Sequence, residues 1–288
     1  MARSYKRGLT PAQRLAVHLG LLLICAGFAL PAVWMVSTSL KTLEDTSQAD
    51  LIPPDPQPEN YADVWTHDRF DMPLLTRNTL IIAILSVAGM TLSSSIVAYG
   101  FAKIRFPGRN VLFAILLSTM MIPFPVLMIS LFRVFRWMGD DLGIQMLGTT
   151  RPLWLPAWFG AAFNIFLLRQ FYRTIPDELS EAARIDGCNE WGIYWRIVLP
   201  LSKPALLVVG LFTFLFAWND FLGPLVFLQY PDQYTLSLGL QAFQSQHGGN
   251  QWNYLMAAAA MIILPVILLF FLMQKAFIKG ISTTGLKG

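Results

Sequence analysis

The sequence predicts an all-α, polytopic membrane protein with about six transmembrane helices, and three observations predict it. The 288 residues are 55% hydrophobic and only 13% charged, too little charge to cover a soluble domain of this length. Six apolar stretches approach the roughly 20 residues a helix needs to cross about 30 Å of hydrocarbon. Lys and Arg collect in alternate gaps between those stretches, as in a multi-pass chain.

The spans are justified in order. The first runs from about Leu15 to Leu40, behind Arg3, Lys6, Arg7 and Arg14. Its apolar run is too long for the core of a secretory signal, and Ile24 before Cys25 does not suit a lipoprotein cleavage site, so it reads as an uncleaved anchor. The second covers about Thr79 to Ala102 and the third about Val111 to Phe135. Pro123 and Pro125 in "MMIPFPVLM" interrupt the third near its middle, because proline removes a backbone donor and bends a helix. The fourth, about Leu153 to Leu168, and the fifth, about Ala205 to Trp218 with an extension toward Leu228, have ends blurred by prolines and polar residues. The sixth covers about Leu255 to Phe277. With no fixed-period repeat, residues 1–288 read as one transmembrane domain.

Basic residues orient it. The N-terminus, the second-to-third gap (Lys103, Arg105, Arg109), the fourth-to-fifth gap with its edges (Arg169, Arg173, Arg184, Arg196, Lys203) and the C-terminus (Lys275, Lys279, Lys287) hold fifteen of the 21 Lys and Arg. Positive residues mark the cytoplasmic side, so both termini and the segment 176–204 are expected there. The opposite side has an acidic loop, 41–78, with the proline-rich "PPDPQPENY", and a polar, aromatic loop, 229–254, without Lys or Arg. The net charge of +4 thus reflects topology, and no nucleic acid partner is expected.

The chain lacks a G-x-x-x-x-G-K-[S/T] phosphate loop and a nucleophile elbow. His18, His67 and His247 are far apart, and Cys25 and Cys188 suit neither a disulfide nor a metal. Neither catalysis nor a bound cofactor is expected. An ion-coupled secondary transporter is the rival reading, but such proteins place ionisable groups near mid-membrane. Here Asp220 alone is a candidate, and helix-end capping by Asn219 and Asp220 explains it as well. Pro123, Pro125, Trp218, Asn219 and Asp220 are the candidates for lining a solute path. A phosphorylated solute calls for cationic groups, and the spans drawn above show none.

The segment 176–204 is the distinctive feature. "IPDELSEAARIDG" carries helix punctuation: Pro176 for a first turn, Asp177 and Glu178 for the positive end of the dipole, Gly187 for the stop. Leu179, Ala182 and Ala183 are expected on one face, with Asp186 near and Glu181 and Arg184 flanking. A second helix is expected from about Asn189 to Leu199, its apolar side formed by Trp191, Tyr194 or Trp195, and Val198, and limited by Pro200. Physics alone leaves two readings equally open, a docking knob for a protein or an interfacial helix anchored in lipid headgroups by its tryptophans.

Glu181, Ala182, Ala183, then Gly187, then Ile197, Leu199 and Pro200 resemble, at all seven positions, the EAA motif of permease subunits in bacterial ABC importers. Cys188 stands where many members have alanine. "AWNDFLGPL", "ENYADVW" and "FIKGISTTGLKG" are similar to the carbohydrate-uptake branch, and within it to the shorter, six-span subunit of the maltose-type pair. The resemblance implies a type I ABC importer permease fold and a coupling helix, with Glu181, Ala182, Ala183, Asp186, Gly187 and Pro200 at the ATPase. It further implies a second related permease, a dimer of ATPase subunits that bind ATP and Mg, and an extracytoplasmic solute-binding protein. Gln246, His247, Gly248, Gly249 and Asn250 are placed by it in a loop that reaches the binding protein, and the "TTGLKG" tail near the ATPases. The longer partner subunit carries most solute contacts in maltose-type systems.

Overall fold

The computed structural model describes residues 10–67, 70–246 and 251–284, with side chains described except at 245–246 and 275–284. His247, Gly248, Gly249 and Asn250, the side chain of Gln246 and residues 285–288 of the tail lie outside the described residues.

The described chain is all-α. In order it forms α1 (Pro11–Ser39), α2 (Glu59–Trp65), α3 (Met72–Lys103), α4 (Arg109–Ser118), α5 (Phe124–Leu142), α6 (Ala162–Tyr172), α7 (Asp177–Ile185), α8 (Glu190–Leu201), α9 (Lys203–Asn219), α10 (Leu222–Phe227), α11 (Leu236–Gln246) and α12 (Trp252–Thr284). Three helices are long and apolar enough to cross a membrane outright: α1, α3 and Trp252–Gln274 of α12. Two further pairs qualify only as bent units, α4 with α5 (99°) and α8 with α9 (77°).

The third predicted span is therefore two helices at nearly a right angle. Pro123 leaves Ile122 extended, and Pro125 sits in the first turn of α5, where its missing donor costs nothing. The fourth predicted span is not one helix. Short turns over Arg151–Trp154 and Leu155–Phe159 end at Gly160, whose φ of +79° suits glycine, and α6 restarts after it. Its 11 residues reach only about 16 Å. The fifth ends at Asn219, and the chain turns at Asp220 before α10. The loops 41–78 and 229–254 are more ordered than their prolines imply, with Glu59 opening α2 and α11 occupying much of 229–254.

Helix α3 is the axis, with α6 and α9 packed along it. From Ala83 to Ala98 its buried residues are all small, Ala83, Ser86, Gly89, Ser94, Ser95 and Ala98, so neighbouring backbones come close without apolar solvent exclusion to drive them. Gly89 is required by packing: the Trp158 ring occupies the space a Cβ would need. At one end of α3 the two long loops are pinned. Asn78 Nδ2 donates to the carbonyls of Asp232 and Tyr234 (2.9 and 3.1 Å), and Asn253 Nδ2 donates to Asn60 Oδ1 (3.3 Å). Segment 176–204 lies toward the other end of α3, which is about 48 Å long over its 32 residues.

Candidate functional site

The site at that end is built around α7. Asp177 and Glu178 occupy its first turn with Pro176 just before it, one residue earlier than expected. Its C-terminus is closed by a Schellman motif: Cys188 N donates to Ala183 O (2.9 Å) and Gly187 N to Arg184 O (3.1 Å). The closure puts Gly187 at φ +84°. Asn189 then caps α8, its side chain accepting the Gly192 N–H at 2.8 Å.

Pro200 does not end the second helix. The hydrogen-bond ladder widens to a π turn over Tyr194–Val198, which absorbs the missing donor, and the chain turns only at Ser202. Leu179, Ala182 and Ala183 do not share an environment either. Ala183 and Ser180 are buried against the protein, while Ala182, Leu179 and Ile185 point away, the last 87% exposed. Glu181 and Asp186 are exposed beside them. In α8 the buried side is Ile193, Tyr194 and Val198, whereas Trp191 and Trp195 stay exposed on either side of Tyr194.

Polar ties join this segment to α3 at three successive turns. Ser95 Oγ is hydrogen-bonded to Tyr194 Oη, Tyr99 Oη donates to Glu190 Oε2 (2.7 Å), and Lys103 Nζ donates to Asp177 Oδ1 and Ile175 O (2.6 Å each). Arg184 Nε holds the other oxygen of Glu190 at 2.9 Å. The hydrogen bond from Lys103, with its charge, keeps the Asp177 carboxyl below the usual carboxylate range. Between the ties, Ala98, Leu168, Tyr172, Ala183, Ile193 and Val198 form one apolar cluster. Knob and α3 are thus one packed unit. Ser95, Tyr99 and Lys103 were missed in the sequence, although polar groups spaced by four along an apolar helix were a signal for one polar stripe.

The path candidates are scattered. Pro123 and Pro125 are exposed on this chain. Trp218 is 2% exposed, its ring stacked on Phe214 (5.2 Å) and its Nε1 donating to Ile262 O at 3.1 Å, so it is held by packing. Asn219 Nδ2 donates to Leu215 O within its own helix, and Asp220 Oδ1 accepts the Gly223 N–H, capping α10. Helix α5 extends to Leu142 and carries the exposed Arg133 and Arg136; Arg133 falls inside the third predicted span, which was read as free of cations, and Arg136 lies one residue beyond it. Among the described residues no cluster of three or more His, Cys, Asp or Glu side chains is arranged to hold a metal ion, and both cysteines are free.

The family described as "Binding-protein-dependent transport system inner membrane component" matches residues 89–283. The chain is 39% identical over 211 residues to the arabinooligosaccharides transport system permease protein AraQ of Halalkalibacterium halodurans, covering 73% of each chain. It is 31% identical over 281 residues to the sn-glycerol-3-phosphate transport system permease protein UgpE of Yersinia enterocolitica, covering 96% of this chain and 97% of that one. Among solved structures it is similar to a chain of a bacterial ABC transporter involved in the import of the acidic polysaccharide alginate, with a TM-score of 0.75 and 26% identity over 94% of this chain and 99% of the other.

Proposed function

Since the chain belongs to the family of binding-protein-dependent transport system inner membrane components, the permease subunits that work with a separate ATPase in ABC importers, we propose that the α7–α8 knob is its coupling element. The observation that carries this reading is the exposed tip of Leu179, Ala182 and Ile185 on a knob tied to α3 at Ser95, Tyr99 and Lys103. An apolar tip on a polar-flanked helix suits a protein cleft, where small Ala182 permits close approach. The ties turn displacement of the tip into movement of α3 and, through it, of α6 and α9. ATP binding and hydrolysis on the ATPase dimer shift the permease between two states, which is alternating access. Glu181, Ala182, Ala183, Asp186, Gly187 and Pro200 belong to this element, Ala183 and Pro200 by holding its shape and the exposed residues by contact.

We place the knob and both termini on the cytoplasmic side, which the positive charges around the knob support, and residues 1–288 in one transmembrane domain. The exposed surfaces of α1, α4 and α5 are left for lipid and for a second, related permease. Gln246, His247, Gly248, Gly249 and Asn250 face the solute-binding protein in this reading; their deletion abolishes delivery from the binding protein while leaving insertion intact, and unchanged uptake refutes it. The solute class we propose is a sugar or a sugar-like polyol. The cargo of the relatives, arabinooligosaccharides, sn-glycerol-3-phosphate and alginate, supports it, and screening candidate carbohydrates against the partner binding protein tests it.

Glu181→Lys tests the contact directly. Glu181 makes no ion pair or hydrogen bond among the described residues, so its reversal leaves the fold alone. The expected result is normal insertion, with ATPase co-purification lost or uptake uncoupled from ATP. A membrane-impermeant thiol reagent on Cys188 in sealed vesicles of each orientation reads the side of the knob. Normal ATP-driven uptake by the variant refutes the assignment.

A further inference from the structure

A cavity of about 710 Å³ lies beside the knob, bounded by the cytoplasmic end of α3, the start of α4 and the flank of α7. Five cations border it, Lys103, Arg105, Arg109, Arg173 and Arg184, against three carboxylates, Asp177, Glu181 and Glu190. Two of the cations are already neutralised: Lys103 pairs with Asp177 at 2.6 Å and Arg184 with Glu190 at 2.9 Å. Arg109 reaches only a backbone carbonyl, that of Ile104 (3.2 Å). Arg105 and Arg173 have no hydrogen bond or ion pair among the described residues. Behind them Arg169, 4.0 Å from the Phe113 ring centroid, adds a charge that repels Arg173 and Arg109. Ser180 borders the same space, 2% exposed, with a buried Oγ that has no partner.

This excess of positive charge in a concave site calls for an anion. The surroundings say which kind. Arg109 and the exposed Asn110 open α4, and beyond them the apolar Val111, Leu112 and Ile115 are 64%, 51% and 56% exposed. A headgroup phosphate at Arg105, Arg109 and Arg173 leaves its acyl chains lying on that surface. The tip residues Leu179, Ala182 and Ile185 do not border the cavity; it meets α7 along Ser180, Glu181 and Arg184, with Glu181 at the boundary between cavity and tip. We propose that this cavity is a binding site for the phosphate headgroup of an anionic phospholipid of the cytoplasmic leaflet. Basic pockets between helices on that side hold acidic headgroups in this way. The inference takes from the proposed function only the cytoplasmic placement of this end. A headgroup seated there touches α3, α4 and α7 together, so it braces the joint that the coupling motion must move.

The test uses the full chain in nanodiscs of phosphatidylcholine with phosphatidylglycerol, with retained lipid counted by native mass spectrometry. The wild type should retain phosphatidylglycerol in preference to phosphatidylcholine. Arg105→Gln with Arg173→Gln should cut that retention by at least about tenfold, at roughly fivefold for each cation near a membrane surface, with phosphatidylcholine unchanged. Equal retention by wild type and variant overturns the proposal. So does displacement of phosphatidylglycerol by millimolar inorganic phosphate, which makes the site one for a free anion. Loss of the ATPase from the variant with lipid retention intact also overturns it and gives the cavity to the protein interface. Ile185→Asp, on the tip and away from the cavity lining, should leave phosphatidylglycerol retention unchanged while weakening the ATPase contact, so failure of the coupling assignment and failure of the lipid site are read separately.

Discussion

Gly187→Val should yield a permease that inserts and accumulates but no longer couples to ATP. At φ +84° a β-branched side chain is strained by its own backbone, although nothing lies within 4 Å of where the Cβ would go. The strain has no clash to relieve and must be removed by rotating the backbone. Rotation breaks the two Schellman hydrogen bonds from Gly187 and Cys188 and redirects α8 relative to α7. The tip of Leu179, Ala182 and Ile185 then points elsewhere and its ties to α3 are weakened, while the packing at the far end of α3 is kept. ATP-driven uptake is expected to fall by two orders of magnitude or more, the size of effect that misplacing a joint can have. Gly187→Asn, whose side chain tolerates the left-handed region, should keep a substantial part of the activity. Uptake at the wild-type rate with Val refutes the role of the turn. Equal loss with Asn and Val shows that the side chain, and not the backbone, matters.

Trp218→Ala is the second large effect, and it should appear as loss of folded protein. The indole is almost wholly enclosed, stacks on Phe214 and donates to the Ile262 carbonyl of α12, so it fastens α9 to the last span. Removing a buried tryptophan costs about 3–5 kcal/mol in contacts and residual cavity. That is a large fraction of the roughly 5–15 kcal/mol that keeps a domain folded. A lower unfolding temperature in detergent and reduced accumulation are expected. Trp218→Phe, which keeps the stack, should be milder. Among surviving importers the preference between solutes should not change. A Trp218→Ala variant with wild-type stability and altered solute preference would instead return this residue to the solute path.

The same residue shows where sequence reading stops. An aromatic residue at the end of an apolar run can face a lumen, a headgroup layer or a neighbouring helix, and local pattern does not distinguish these. Trp218 was grouped with Asn219 and Asp220 by adjacency. The structure separates them into a packed ring, a side chain bonded within its helix and a helix cap. Pro123 and Pro125 were legible as a break, since proline acts on its own backbone. The 99° angle was not, because a bend of that size depends on what α4 and α5 pack against.

The sequence by itself determined the membrane class, the all-α fold, the outright spans α1, α3 and α12, the knob with its stop at Gly187, and the EAA pattern. Each of these rests on properties carried over short distances: apolar run length, backbone freedom at glycine, capping side chains, and fixed spacing along one helix pair. The tertiary structure alone decided that the fourth apolar stretch is a broken turn and a short helix, that Pro200 is absorbed by a π turn, and that Ile185 belongs to the exposed tip. It alone brought Ser95, Tyr99 and Lys103 to Tyr194, Glu190 and Asp177, partners 74 to 99 residues away in sequence. Such contacts are fixed by which helix faces meet. In a chain whose spans are apolar nearly all round, pattern cannot name those faces, because lipid and a neighbouring helix select similar side chains.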